Sequence, residues 1–260
     1  MLFNKARSYA PGFLLAGCYS VRIHCETLPL QKIFDMLKIG HRGAKAHMPE
    51  NTLASFQKAL DLGVEGIELD VHVCATGELV VIHDFTVDRT TNGSGEVHKM
   101  FLHELKALIV EGGHEIPTLD EVLALVGKRC LVNIEMKGRH TAQLVSEFLE
   151  KLVREKGYSY DDFIVSSFQR EELAAMSKLY PDVHLGVLTQ ASMKEAWDWA
   201  EEFNARAIHP HFSLLTRSNV QKAQEAGYKI YTWTVNGPED IDLMKSYGVD
   251  GIISDHPERL

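Results

Sequence analysis

The sequence lacks the long apolar run that a membrane-spanning helix requires, since none of its apolar stretches reaches about 18 residues. Cysteine is also scarce. The chain has 260 residues and four cysteines, none of which forms a Cys-x-x-Cys pair: Cys18, Cys25, Cys74 and Cys130. This spacing indicates neither a zinc cluster nor a disulfide framework. We therefore expect no stable membrane span and a reducing compartment, the cytoplasm.

Positive charge is in short supply as well. Lys and Arg number 27 against 36 for Asp and Glu, which gives a formal net charge of −9. Such a surface is a poor match for nucleic acid or for an anionic membrane, so we expect neither as a partner. A small molecule that carries a phosphate would need local basic groups or a metal ion to offset the negative charge.

Residues 1–36 precede the regular pattern of the chain, and we interpret them as a leader of uncertain order. Leu15-Ala16-Gly17-Cys18 resembles a bacterial lipoprotein cleavage box, but Pro11 and Gly12 interrupt the short apolar stretch before it. Export as a lipoprotein through Cys18 is therefore the alternative to a cytoplasmic location. Met36 stands directly before the first predicted strand, as an initiator would.

From Met36 onward, short β-branched or apolar runs alternate with segments of helical periodicity. The pattern predicts strands at 37–41, 64–72, 130–136, 162–167, 183–188, 205–209, 228–235 and 249–254. It predicts helices at 51–62, 118–127, 140–156, 169–180, 192–203, 216–226 and 237–247. A helix after nearly every strand favours an α/β fold, a closed (β/α)8 TIM barrel over residues 37–260. An open doubly wound sheet is the alternative, but its typical Gly-x-Gly-x-x-Gly fingerprint is absent.

Two irregularities interrupt the alternation. Residues 73–117 form a long insertion between strand two and helix two, with a strand-like run at 79–82, and loops of this length are often functional. We expect this insertion to form a small subdomain. After the eighth strand only 255–260 remain, too few for a full helix. One hypothesis is that residues 28–37 pack on the barrel in place of that helix.

Carboxylates lie in apolar surroundings on two of the predicted strands. Glu68 and Asp70 are two residues apart in strand two, so both point to one face, and Glu135 lies among apolar residues of strand three. Burying carboxylates without a partner is costly, so these groups need a cation. An all-oxygen set with no thiolate nearby suits Mg²⁺ or Ca²⁺ better than zinc.

Histidines lie at two further positions where a barrel enzyme could use them. His41 ends strand one, and His83 follows the apolar run of the insertion. Imidazole titrates near neutral pH, which suits proton transfer. A single histidine in such a place is more often a structural residue, and we keep that interpretation for His72 and His209.

Several short motifs occur in a characteristic order: His41-Arg42-Gly43, Pro49-Glu50-Asn51-Thr52, Glu68-x-Asp70, His83-Asp84, Arg89-Thr90-Thr91, Glu135-x-Lys137 and Thr232-Trp233-Thr234-Val235-Asn236. Across residues 37–257 they resemble the glycerophosphodiester phosphodiesterase family. The resemblance implies a barrel whose insertion at 73–117 is a small cap over the mouth. It also implies metal-dependent hydrolysis of a small-molecule glycerophosphodiester to sn-glycerol 3-phosphate and an alcohol.

The resemblance also implies roles for seven residues of these motifs. One divalent cation, Mg²⁺ or Ca²⁺, would be held by Glu68, Asp70 and Glu135. The acid–base pair would be His41 and His83. The phosphate contacts would be Arg42 and Lys137.

Two aromatic residues are candidates for substrate contact. Trp233 offers a flat apolar face to the glycerol carbons, with core packing as the alternative, and Phe168 is a weaker candidate at the end of strand four.

The nucleophile is either a water activated by the metal or the glycerol hydroxyl of the substrate. Attack by the hydroxyl would give a cyclic phosphate, and the resemblance favours the hydroxyl. Which histidine acts first as the base stays open.

Two rival functions stay open beside hydrolysis of glycerophosphodiesters. A barrel that cleaves lysophospholipids would need an apolar rim, for which the insertion offers only Phe85, Met100 and Phe101. A barrel that merely binds a phosphodiester would be expected to lack a histidine or a carboxylate of the motif set, and none is missing.

Overall fold

The computed structural model describes residues 36–260. The leader hypothesis, the lipoprotein box and most of the 28–37 segment therefore lie outside the described residues. Within the described part, no helix is long and apolar enough to cross a membrane.

Eight parallel strands close into a barrel, which confirms the predicted fold class. They are β1 (Leu37–Gly40), β2 (Gly66–Val73), β4 (Leu131–Met136), β5 (Phe163–Ser167), β6 (Leu185–Thr189), β7 (Ala207–Pro210), β8 (Lys229–Thr232) and β9 (Gly251–Ser254). Closure occurs at β1, which pairs with both β2 and β9: Ile39 lies opposite Gly66 on one side and Ile253 on the other. The carboxyl ends of all eight strands therefore meet at one mouth.

Seven helices follow the strands and pack their apolar faces on the outside of the barrel. They are α1 (Leu53–Asp61), α3 (Leu119–Val126), α4 (Thr141–Lys156), α5 (Arg170–Leu179), α6 (Met193–Glu202), α7 (Arg217–Glu225) and α8 (Pro238–Tyr247). Several begin at a hydroxyl N-cap. Thr118, Ser192 and Thr216 each accept a hydrogen bond from the N–H three residues along, which satisfies a free amide at the start of the helix.

The insertion has structure of its own. Strand β3 (Leu79–Val81) pairs antiparallel with the end of β2, and a short helix, α2 (Leu102–Lys106), follows within the insertion. The sequence did not predict α2, because a five-residue helix is too short to show a 3.6-residue period. A small core separate from that of the barrel is formed by Cys74, Val80, Ile82, Val87, Val97, Leu105, Val110 and Ile116.

His209 of β7 is a packing residue inside the barrel. It is 0% exposed, and neither ring nitrogen has a hydrogen-bond partner in the described part of the chain. Burial lowers its pKa to about 3, so the ring is neutral at physiological pH. Gly186 makes room for it, since a Cβ there would lie 2.6 Å from His209 Nε2. These observations favour the structural interpretation of this histidine.

Candidate active site

Three buried carboxylates lie together at the mouth, where the ends of β2 and β4 are neighbours. Asp70 pairs in register with Glu135, and Glu68 lies two residues earlier on the same face of β2. All three residues are buried. One carboxylate oxygen from each can be chosen so that all three lie within 4.8 Å of one another. The fold thus gathers the predicted metal ligands into one cluster.

Burial and mutual repulsion make this cluster unfavourable as three free anions. Burial, reinforced by Asp70 and Glu135, raises the pKa of Glu68 well above its ordinary value. Burial and the charge of Asp70 raise the pKa of Glu135 to about 7. Among the described residues, none donates a hydrogen bond to Asp70 Oδ1. A divalent cation that accepts oxygen ligands would relieve both the repulsion and this unsatisfied oxygen, so the cluster fits such an ion.

Two basic side chains flank the carboxylates. Arg42 Nε lies 3.3 Å from Asp70 Oδ2, and Lys137 Nζ lies 2.9 Å from Glu135 Oε1. Burial opposes protonation of both groups, but the carboxylates raise the pKa of each, so both stay charged. Two positive groups neutralise the charge of three carboxylates only in part, so the cluster still favours one more cation. Both basic groups can also face a bound phosphate.

His41 is oriented by an aspartate that is not among the site residues predicted from the sequence. Its Nδ1 lies 2.6 Å from Asp255 Oδ1, and its Nε2 lies 3.9 Å from Glu68 Oε2. Asn236 donates a hydrogen bond to the other Asp255 oxygen at 2.9 Å. Burial lowers the pKa of His41, and the Asp255 hydrogen bond partly offsets this. Despite burial, the same contact lowers the pKa of Asp255 to about 2.

His83 has a matching arrangement on the insertion. Its Nδ1 lies 2.6 Å from Asp84 Oδ1, and Arg89 Nε donates to Asp84 Oδ2 at 2.6 Å. Burial lowers the pKa of His83 as it does for His41. In both histidines Nδ1 is engaged by an aspartate, which leaves Nε2 as the nitrogen able to exchange a proton with a substrate.

One cavity brings these groups together. Eight of the nine residues singled out from the sequence line it: His41, Arg42, Glu68, His83, Glu135, Lys137, Phe168 and Trp233. The ninth, Asp70, is 1% exposed and lies against Arg42. The cavity therefore holds acid–base, basic and carboxylate groups within one space.

An aromatic wall forms one side of the cavity. Phe168 and Trp233 meet edge to face with ring centroids 5.4 Å apart, and Lys137 Nζ lies 5.6 Å from the Phe168 centroid. Trp233 Nε1 donates to the carbonyl of His209 at 2.7 Å, which fixes the indole. The strand predicted to extend to 235 ends at Thr232, and Trp233 makes only an isolated bridge with His211.

Three further motif residues, Glu50, Asn51 and Arg89, make contacts in the site for which the sequence suggested no role. Glu50 accepts hydrogen bonds from Arg42 and Arg89, each at 2.7 Å, and these two arginines lower its pKa to about 2 although burial opposes the shift. Glu50 thus joins the barrel to the insertion. Asn51 adopts a positive φ of 57° and donates to Asp70 Oδ2 at 2.9 Å.

The position of Asp255 was a signal that could have been used. It directly follows β9, and residues at the carboxyl ends of barrel strands are those that reach the mouth. Its neighbour in the site, Asn236, is the last residue of the Thr232-to-Asn236 motif. The pairing of Asp255 with His41 spans 214 residues, and no local pattern shows such a contact.

Comparison with known proteins agrees with this geometry. The model of the Glycerophosphoryl diester phosphodiesterase family matches residues 41–259. A glycerophosphodiester phosphodiesterase of Caldanaerobacter subterraneus subsp. tengcongensis is 42% identical over 234 residues, which cover 86% of this chain and 96% of that protein.

Two solved structures are similar to this chain. An Oleispira antarctica phosphodiesterase in complex with the product sn-glycerol-3-phosphate matches with a TM-score of 0.78 at 28% identity, covering 85% of this chain and 93% of that one. A glycerophosphodiester phosphodiesterase from Agrobacterium tumefaciens matches with a TM-score of 0.74 at 30% identity, covering 85% and 96%. The resemblance seen in the motifs is thereby confirmed, and the chain belongs to the glycerophosphoryl diester phosphodiesterase family.

Proposed function

We propose that this chain hydrolyses small glycerophosphodiesters to sn-glycerol 3-phosphate and an alcohol. The observation that carries the proposal is the arrangement of two aspartate-oriented histidines on one cavity with a buried carboxylate cluster. The relative from Oleispira antarctica, which was solved with sn-glycerol-3-phosphate, supports this substrate class. A barrel that only binds phosphodiesters would have no need of two oriented imidazoles.

Charge neutralisation is the first requirement of the reaction, because a phosphodiester anion repels an attacking oxygen. Glu68, Asp70 and Glu135 would hold one Mg²⁺ or Ca²⁺ ion, which when bound would supply Lewis-acid stabilisation of the phosphoryl oxygens. Arg42 and Lys137 would contact the phosphate and stabilise the charge that develops on it.

Proton transfer is the second requirement, and His41 and His83 would provide it. Burial lowers both pKa values, so a neutral ring is available as a base at physiological pH. Nε2 of one histidine removes the proton of the glycerol hydroxyl, and the hydroxyl oxygen attacks phosphorus. The other histidine protonates the leaving alkoxide. Water then opens the resulting cyclic phosphate, and the histidines exchange roles.

The aromatic wall of Phe168 and Trp233 would contact the glycerol carbons. Lys137 above Phe168 would place the charged phosphate beside this apolar face. The rival substrate, a lysophospholipid, needs a wider apolar rim. Of the three residues predicted for such a rim, Phe85 is 55% exposed and Phe101 is 48% exposed, whereas Met100 packs against the core of the insertion.

The direct test is incubation of the purified chain with glycerophosphocholine and with lysophosphatidylcholine. We expect release of sn-glycerol 3-phosphate and choline from the first substrate at a higher rate than any cleavage of the second.

An excess of chelator should abolish this release, and Mg²⁺ or Ca²⁺ should restore it, because the ligand set is all oxygen. Full activity in excess chelator would contradict the metal site, and release of phosphocholine would contradict the assigned bond.

The two histidines give a second prediction. His41→Ala and His83→Ala should each lower turnover by about two to four orders of magnitude, the usual contribution of one positioned proton transfer. Mg²⁺ binding should persist in both variants, and the double variant should lose less than the two losses combined. His209→Leu is the control, since His209 is fully buried and does not line the cavity, so its loss should leave turnover nearly unchanged. Loss of metal binding in His41→Ala or His83→Ala would overturn their assignment.

Asp255 gives a third prediction, as a positioning residue for His41. Asp255→Asn removes a negative charge that favours the imidazolium, so the pKa of His41 should fall further. We expect kcat to drop by about 10- to 100-fold with little change in KM, and the limb of the pH profile that reports His41 to move to lower pH.

The matched control for this variant is Asp161→Asn. Asp161 also pairs with a histidine, His184, at 3.1 Å, but Asp161 is exposed and neither residue lines the cavity. This control should keep the kinetics and the pH profile of the parent chain. An Asp255→Asn variant with the parent kcat and pH profile would show that Asp255 does not position His41.

A further inference from the structure

A second cluster of metal-binding side chains lies outside the carboxylate site. His47 in the loop after β1, and His256 and Glu258 after β9, each offer one ligand atom, and these atoms lie within 4.8 Å of one another. We propose that these three residues form a separate site for a zinc-type transition metal ion. The proposal does not depend on the proposed hydrolase function.

The present contacts already hold the three donor side chains close together. His47 Nε2 lies 2.8 Å from Glu258 Oε2, and His256 Nδ1 lies 3.2 Å from Glu258 Oε1. The two imidazole rings are nearly perpendicular, with centroids 6.0 Å apart. Ligand atoms around a tetrahedral zinc ion are about 3.4 Å apart, so small side-chain rotations would bring all three into coordination range.

The chemistry of the donors separates this site from the first one. Two imidazole nitrogens and one carboxylate suit zinc and similar transition ions, whereas the cluster of Glu68, Asp70 and Glu135 offers oxygen alone. His47, Glu258 and His256 have side chains between 28% and 31% exposed. Solvent can therefore complete the coordination sphere, as in other zinc sites with three protein ligands.

The backbone around the cluster is well anchored on both sides. Ala46 N–H donates to the carbonyl of Asp255 at 3.1 Å, and His256 N–H donates to Ser254 Oγ at 3.1 Å. An ion held here would join the loop after β1 to the segment after β9. It would thereby stabilise the part of the fold in which Asp255 contacts His41.

The test is a Zn²⁺ titration of the full chain by calorimetry, in excess Mg²⁺ so that the oxygen cluster is occupied by the harder ion. We expect one zinc ion per chain and a rise in melting temperature on binding. His47→Ala and His256→Ala should each weaken zinc binding by at least about tenfold and remove most of the thermal shift. With Co²⁺ in place of Zn²⁺, the parent chain should show visible absorption bands that both variants lose.

His184→Ala is the matched control, because His184 is a histidine paired with a carboxylate elsewhere on the surface. It should keep the zinc affinity and the thermal shift of the parent chain. Glu258→Gln provides a second test that keeps both imidazoles, and it should also weaken binding. Unchanged zinc binding in the two cluster histidine variants, or an equal loss in His184→Ala, would overturn the site.

Discussion

The repulsion among three buried carboxylates is the constraint on which the rest of the site depends. Glu68, Asp70 and Glu135 are brought together by the pairing of β2 with β4, and burial raises the pKa of both glutamates. An arrangement of this kind costs stability unless positive charge is placed beside it. Arg42 and Lys137 supply part of that positive charge. The carboxylate oxygens that these two residues do not neutralise favour the binding of a cation. The same positive charge is what a phosphodiester needs.

The two histidines depend on structure that is remote in sequence. Asp255 holds His41, Asp84 holds His83, and Arg89 joins Asp84 to Glu50 of the barrel. The insertion therefore contributes more than a cover for the mouth, because it supplies one of the two proposed proton-transfer groups and orients it. Disturbing the contact between Arg89 and Glu50 would affect His83 through Asp84, and it would also affect Arg42, which Glu50 contacts as well.

Much of this architecture could be predicted from local patterns. Strands and helices alternate with clear periods, so the barrel followed from the sequence, and the motifs identified the family. Carboxylates in apolar runs pointed to Glu68, Asp70 and Glu135. The pairing of Asp255 with His41 and the bridging role of Glu50 could not be predicted, because both depend on contacts between distant segments. The short helix α2 left no periodic signal, and the cytoplasmic location and the lack of a nucleic-acid partner stay predictions.

The most direct test of the central claim is calorimetric titration of Mg²⁺ into the chain at about pH 6, 7 and 8. The account predicts one bound ion, affinity that rises with pH, and proton release on binding at about pH 7, because the pKa of Glu135 is raised to about 7 and must fall when the ion binds. Asp70→Asn should abolish this binding. Two results together would contradict the claim that the buried carboxylates hold the metal. Mg²⁺ would bind without releasing a proton, and Asp70→Asn would leave that binding unchanged.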